Sequence, residues 1–118
     1  MVQYNAPRLD ASFAALSDST RRGILERLAR ADASISALAD SFAMTLTGMK
    51  KHVSVLEEAG LVATEKVGRV RMCKLGASGL EAEAAWLRRH REQWEDRFTA
   101  LDKVVAELQR RETDDEPK

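Results

Sequence analysis

Thr45, Thr47, Gly48, Lys50, Lys51, His52 and Ser54 bring short hydroxyls, two lysines and an imidazole into one run of chain, and Lys66, Arg69 and Arg71 follow soon after. The chemistry open to such a set is hydrogen-bond donation and charge neutralisation rather than group transfer, because no nucleophile is spaced for an activating base. Hydroxyls and lysines near the start of a helix suit base edges and phosphates in the major groove of duplex DNA. Cations on a following loop suit the phosphate backbone, which carries affinity while base edges carry sequence information.

The stretch that must hold these groups is SISALADSFAMTLTGMKKHVSVLEEAGLV, Ser34 to Val62, which reads as two short helices joined by a tight turn. Leu38, Ala39 and Phe42 fall at helical spacing in the first helix. In the second, Met49, Val53 and Leu56 recur at i, i+4 and i+7 and bury one face. At about 100° per residue the opposite face carries Thr47, Lys51, Ser54 and Glu58, flanked by Gly48 and Lys50. Next comes GLVATEKVGRVRMCKLG, Gly60 to Gly76, where β-branched residues either side of Val67, Gly68 and Arg69 predict a β-hairpin, a wing with Lys66, Arg69, Arg71 and Lys74 along its rim. Gly68 supplies the positive φ that a tight hairpin needs.

Leu9, Phe13 and Leu16 predict a first helix, and Asp18 or Ser19 caps a second that runs to about Arg30, with Ile24, Leu25 and Leu28 inward. Its Arg21 and Arg22 are read either as a cationic patch flanking DNA or as solvated surface charge. From Ser78 or Gly79 a long helix begins. Along it Leu80, Ala84, Leu87, Trp94, Phe98, Leu101, Val105 and Leu108 alternate spacings of four and three, broken only by Arg91, which is a 3.5-residue period. About thirty residues would reach roughly 45 Å, more than the domain beneath can cover. Self-association through Leu9 and Phe13 of the first helix and Leu87, Trp94, Phe98, Leu101 and Val105 of the long one would bury that seam. Packing back on its own domain is the alternative.

LSDSTRRGILERLA, then ALADSFAMTLTGMKKHVSVLEEAGLV, then VGRVRMCKL, occurring in order, make the chain resemble the bacterial arsenic-repressor-type (ArsR/SmtB) winged helix-turn-helix regulators over roughly Leu9 to Leu101. The resemblance implies a small dimeric repressor that blocks a promoter and lets go when an inducer, often a metal ion, binds. Metal-sensing members carry paired cysteines at the start of the third helix, or Asp and His ligands on the last. Here Ser34 and Ser36 stand where the cysteine pair would lie, and hydroxyls are poor ligands for soft metals. The long helix has a single histidine, His90, which with Glu83 or Asp96 would complete a zinc site only across a dimer. No metal and no cofactor are expected. Lys50 replaces the small residue common at its position in the family.

Lys plus Arg equal Asp plus Glu at 19 each, so the net charge is zero, which by itself argues against a nucleic-acid binder. The distribution answers this: from Met44 to Lys74 there are six Lys or Arg against three Asp or Glu, while Glu112 to Lys118 holds four acids and one lysine. One cysteine, Cys73, allows no intrachain disulfide and fits a reducing cytoplasm. It reads as a small core residue, with a redox switch as the alternative. No apolar run approaches a membrane span, and the first residues lack the pattern of a signal peptide. A phosphate-cradling Gly-rich loop and a nucleophile elbow are both missing, so no enzyme is expected.

The expectation is a mainly α protein with a small β-hairpin: a winged helix-turn-helix domain with its dimerisation helix over 1–112 and a disordered acidic tail over 113–118. It would be a cytoplasmic homodimer on duplex DNA, a repressor at an inverted repeat. Thr45, Thr47, Gly48, Lys50, Lys51 and Ser54 would meet bases or nearby phosphates, with His52, Lys66, Arg69 and Arg71 on the backbone. The rivals are a winged-helix interaction module that binds no DNA, and a thiol- or metal-responsive repressor. The residues name no inducer.

Overall fold

Side-chain oxygens start three of the helices in the same way. In the computed structural model, which describes residues 6–77 and 79–115, α1 spans Ala6–Leu16 and α2 Ser19–Leu28. A two-residue strand β1, Ala33–Ser34, leads into α3, Ile35–Ser41, and then α4, Leu46–Glu58. Asp18, Ser34 and Thr45 precede α2, α3 and α4 in extended conformation, and each accepts a hydrogen bond from the backbone N–H three residues on, Arg21, Ala37 and Gly48. Each cap satisfies one of the amides that a helix start leaves unpaired. Asp18 is thus the cap of α2, and α2 stops at Leu28, short of the expected Arg30.

Two helices end in the same left-handed turn. After α3, Ala43 sits at φ 54, Met44 N–H donates to Ala39 C=O at 2.9 Å and Ala43 N–H to Asp40 C=O at 3.2 Å. After α4, Gly60 sits at φ 78, with Leu61 N–H to Leu56 C=O and Gly60 N–H to Glu57 C=O, both at 2.9 Å. Both are Schellman motifs, and buried Leu56 and Leu61 make the apolar contact that accompanies the second. Glycine fits that conformation at Gly60; alanine carries a Cβ penalty at Ala43.

The wing is β2, Val62–Val67, paired antiparallel with β3, Val70–Leu75, in a register that sets Val67 opposite Val70 and leaves Gly68 and Arg69 as a two-residue loop. Gly68 has φ 65. β1 adds to the other edge of β3, Ala33 opposite Cys73 and Ser34 opposite Met72, giving the order β1-β3-β2. This third strand was not expected. It ties the start of α3 to the wing.

Met49, Val53 and Leu56 of α4 are buried as their spacing predicts, in one cluster with Ala15, Ile24, Leu28, Leu38, Ala39, Leu61, Val62 and Cys73. At about 1.5–3 kcal/mol for each large apolar side chain removed from water, this stripe fixes which face of α4 is left outside. The chain divides into two compact units, one ending at Glu83 and one beginning at Ala84. The second consists of the remainder of α5, Glu81–Asp115. Its helix continues through Asp115, so residues 113–115 of the expected disordered tail are helical, and residues 116–118, like Ser78, lie outside the described residues.

Ala43→Gly should raise unfolding stability by about 0.5–1 kcal/mol by relieving the left-handed alanine. Thermal or urea unfolding reads the change; a loss of stability would mean that the turn is held differently.

Candidate nucleic-acid interface

With its apolar stripe buried, α4 leaves Thr47, Lys50, Lys51 and Ser54 exposed and Gly48 half-buried on the outer side. Thr45 is exposed too, but its Oγ1 is occupied by the Gly48 N–H at 3.1 Å. Lys66, Arg69 and Arg71 stand exposed on the wing, Arg69 at the loop itself. Between α4 and the wing lies an open cleft of about 490 Å³ lined by Lys50, Lys66, Arg69 and Arg71, with Ser34, Ser36, Ser54 and Thr64 among its polar walls. Four cations face it and a single acid, Glu57. Thr64 Oγ1 donates to Glu57 Oε2 at 2.8 Å and accepts from Arg71 Nη1 at 3.2 Å. That chain joins both wing strands to the end of α4.

His52, expected on the phosphate backbone, is instead turned toward α2, away from the other polar groups. Its Nδ1 lies 3.3 Å from Arg21 Nη1 and 3.9 Å from Asp18 Oδ2, and its side chain is only 22% exposed. Arg21 also donates from Nε to Ala15 C=O at 2.8 Å and from Nη2 to Ala14 C=O at 3.1 Å, while Arg22 Nη1 donates to Leu16 C=O at 2.7 Å. Neither arginine is simply solvated. Both serve the final carbonyls of α1, a helix with no glycine after it to close its end. The Asp18 carboxyl is held below its ordinary range chiefly by the Arg21 backbone N–H, with the charge of Arg21 helping against a desolvation that raises it.

The cluster of Asp18, Arg21 and His52 is what sequence reasoning missed. Its only local signal is the capping position of Asp18; the rest is a contact across thirty residues. Cys73 is fully buried, and burial pushes its thiol upward, with Glu57 adding and Arg71 opposing. Ser34, aligned with a metal-ligand position, spends its hydroxyl on the α3 cap. On α5, His90 Nδ1 bonds to Trp86 C=O at 2.9 Å and the two rings stack at 3.9 Å. Among the described residues no three His, Cys, Asp or Glu side chains converge as a metal site.

Of the expected dimer residues, Leu9 and Phe13 are half-buried on α1. Leu87, Trp94, Phe98, Leu101 and Val105 are all exposed on α5, Trp94 by 67%, and Val104 and Leu108 extend the same apolar surface. No helix among the described residues is long and apolar enough to cross a membrane.

A helix-turn-helix domain family matches residues 16–65. The chain is 35% identical over 82 residues to the HTH-type transcriptional regulator Rv2034 of Mycobacterium tuberculosis, covering 70% of this chain and 75% of that one. It is 43% identical to the ArsR family transcriptional regulator RHA00566, whose crystal structure it matches with a TM-score of 0.72 over 80% of this chain and 97% of that one. The chain belongs to the ArsR family of transcriptional regulators. The fold is shared with the homodimeric winged helix-turn-helix DNA-binding domain Mb0332 of Mycobacterium bovis, solved in solution, at 24% identity and a TM-score of 0.60 over 81% of this chain and 93% of that one. As an ArsR-family member the protein is a DNA-binding transcriptional regulator.

Cys73 of this regulator should resist alkylation in the folded state and react stoichiometrically once unfolded, because the reactive species is the thiolate and burial disfavours it. Iodoacetamide labelling followed by intact mass measures this. Rapid labelling of the native protein would reopen the thiol-responsive alternative.

Proposed function

We propose that the protein is a repressor that binds an inverted-repeat operator in the cytoplasm as a homodimer, each subunit inserting the N-terminal half of α4 into a major groove. The observation that carries this reading is the juxtaposition of Lys50 and Ser54 of α4 with Lys66, Arg69 and Arg71 of the wing across one cleft, with Thr47 and Lys51 exposed on the same helix. The small residues Thr47 and Gly48 at the start of α4 let the backbone approach base edges, and the exposed wing cations suit phosphate contacts. Support for the homodimer comes from the exposed apolar stripe of α5 and from the homodimeric state of the Mycobacterium bovis domain. An isologous pairing brings two recognition helices to the two half-sites of a palindrome. Zero net charge is the observation that favours a module binding only protein, and it predicts weak non-specific affinity if DNA is the partner.

The experiment is binding to operator and scrambled duplexes over a range of salt. Arg69→Ala should weaken both alike and flatten the salt slope by about one unit per subunit. Lys51→Ala should lose about 1–3 kcal/mol per half-site on the operator and much less on scrambled DNA, as expected of a base contact. Unchanged affinity in both variants would remove the DNA reading.

Replacing Phe98 and Leu101 together with glutamate puts like charges into a self-complementary apolar seam. Light scattering should then report a monomer, with most operator affinity gone. A dimeric and fully active variant would place the interface elsewhere.

A further inference from the structure

Arg21 touches three elements at once. Its Nε and Nη2 donate to the Ala15 and Ala14 carbonyls at the end of α1, its own backbone N–H is bonded to Asp18 at the start of α2, and Nη1 reaches His52 on α4 at 3.3 Å. A guanidinium only donates, so His52 Nδ1 accepts and the imidazole proton resides on Nε2. His52 therefore stands as a directional peg on the flank of α4, between the buried stripe of Met49, Val53 and Leu56 and the exposed stripe of Thr47, Lys51 and Ser54. Apolar burial sets which face of α4 turns outward, but being non-directional it leaves the last few degrees of rotation about the helix axis loosely set. A hydrogen bond to a side chain that is itself fixed by two carbonyls does not.

We propose that Arg21 is a positioning residue for DNA reading: through His52 it fixes the rotation of α4, and through the α1 carbonyls it couples that rotation to α1, the helix carrying the expected interface residues Leu9 and Phe13. This rests on the role of α4 proposed above. Arg21 is distinguished from a cation that only meets phosphate, because three of its five N–H donors are held by the end of α1 and by His52. A small rotation of α4 would displace Thr47, Lys50 and Lys51 together from the base edges while leaving the wing cations in place. Specific binding should suffer and non-specific binding should not.

The test compares wild type, Arg21→Lys, Arg21→Gln, His52→Ala and the Arg21→Gln/His52→Ala double variant. Affinity for operator and scrambled duplexes is measured across salt at a temperature where circular dichroism finds each variant folded. Both Arg21 variants and His52→Ala should bind operator about tenfold more weakly, the size of one lost charge-assisted hydrogen bond. Scrambled-duplex affinity and salt slope should stay at wild-type values. The double variant should lose no more than the weaker single, since both changes break one link. His52→Ala leaves the α1 carbonyls served, so it carries the test if the Arg21 variants do not fold. Wild-type operator affinity in folded His52→Ala would overturn the proposal, as would recovery in Arg21→Lys together with a reduced salt slope in Arg21→Gln, the mark of a direct phosphate contact. A wild-type protein that does not distinguish operator from scrambled duplex would instead bring down the DNA reading, and this inference with it.

Discussion

The burial of Met49, Val53 and Leu56 along one side of α4 is the interaction on which the rest of the structure depends. Once that stripe is packed against Ile24, Leu28, Leu38 and Ala39, Thr47, Lys51 and Ser54 have no direction left but outward. The left-handed turns at Ala43 and Gly60 set how the chain enters and leaves α4. The second delivers Leu61 and Val62 to the core and starts the wing at a fixed distance from the helix it flanks. Cleft, wing and exposed face thus follow from one packed helix and its two ends.

Charge in this protein is divided by task rather than pooled. Arg21 and Arg22 are spent on the carbonyls of α1, and Arg71 is shared with Thr64 and through it with Glu57. Lys50, Lys51, Lys66 and Arg69 remain on the surface of the cleft and helix. A net charge of zero is therefore compatible with a cationic face, because the acids lie largely elsewhere, many along α5. The same division explains why a count of basic residues near the motif overstates how many can meet phosphate.

The period of apolar residues made α1, α4 and α5 legible in the sequence, since an amphipathic helix repeats its apolar side every three or four positions. The wing was legible from β-branched residues around Gly68. β1 was not, because Ala33 and Ser34 are too few to display an alternation and become a strand only through the edge of β3. The left-handed turn at Ala43 was hidden by an alanine where glycine is the usual signal. The acidic composition of residues 113–115 suggested disorder, yet the helix continues through them. Outer-face residues of α4 could be assigned from spacing alone, whereas the orientation of His52 toward Arg21 and Asp18 depends on how α2 and α4 pack, which no local pattern encodes.

If α4 and the wing form one DNA-facing surface, amide hydrogen exchange with and without an operator duplex will show it. New protection should be confined to Leu46–Ser54 and to the wing around Lys66–Arg71, with the interior amides of α2 unchanged. Protection confined to α5, or none at any concentration of duplex, would contradict it.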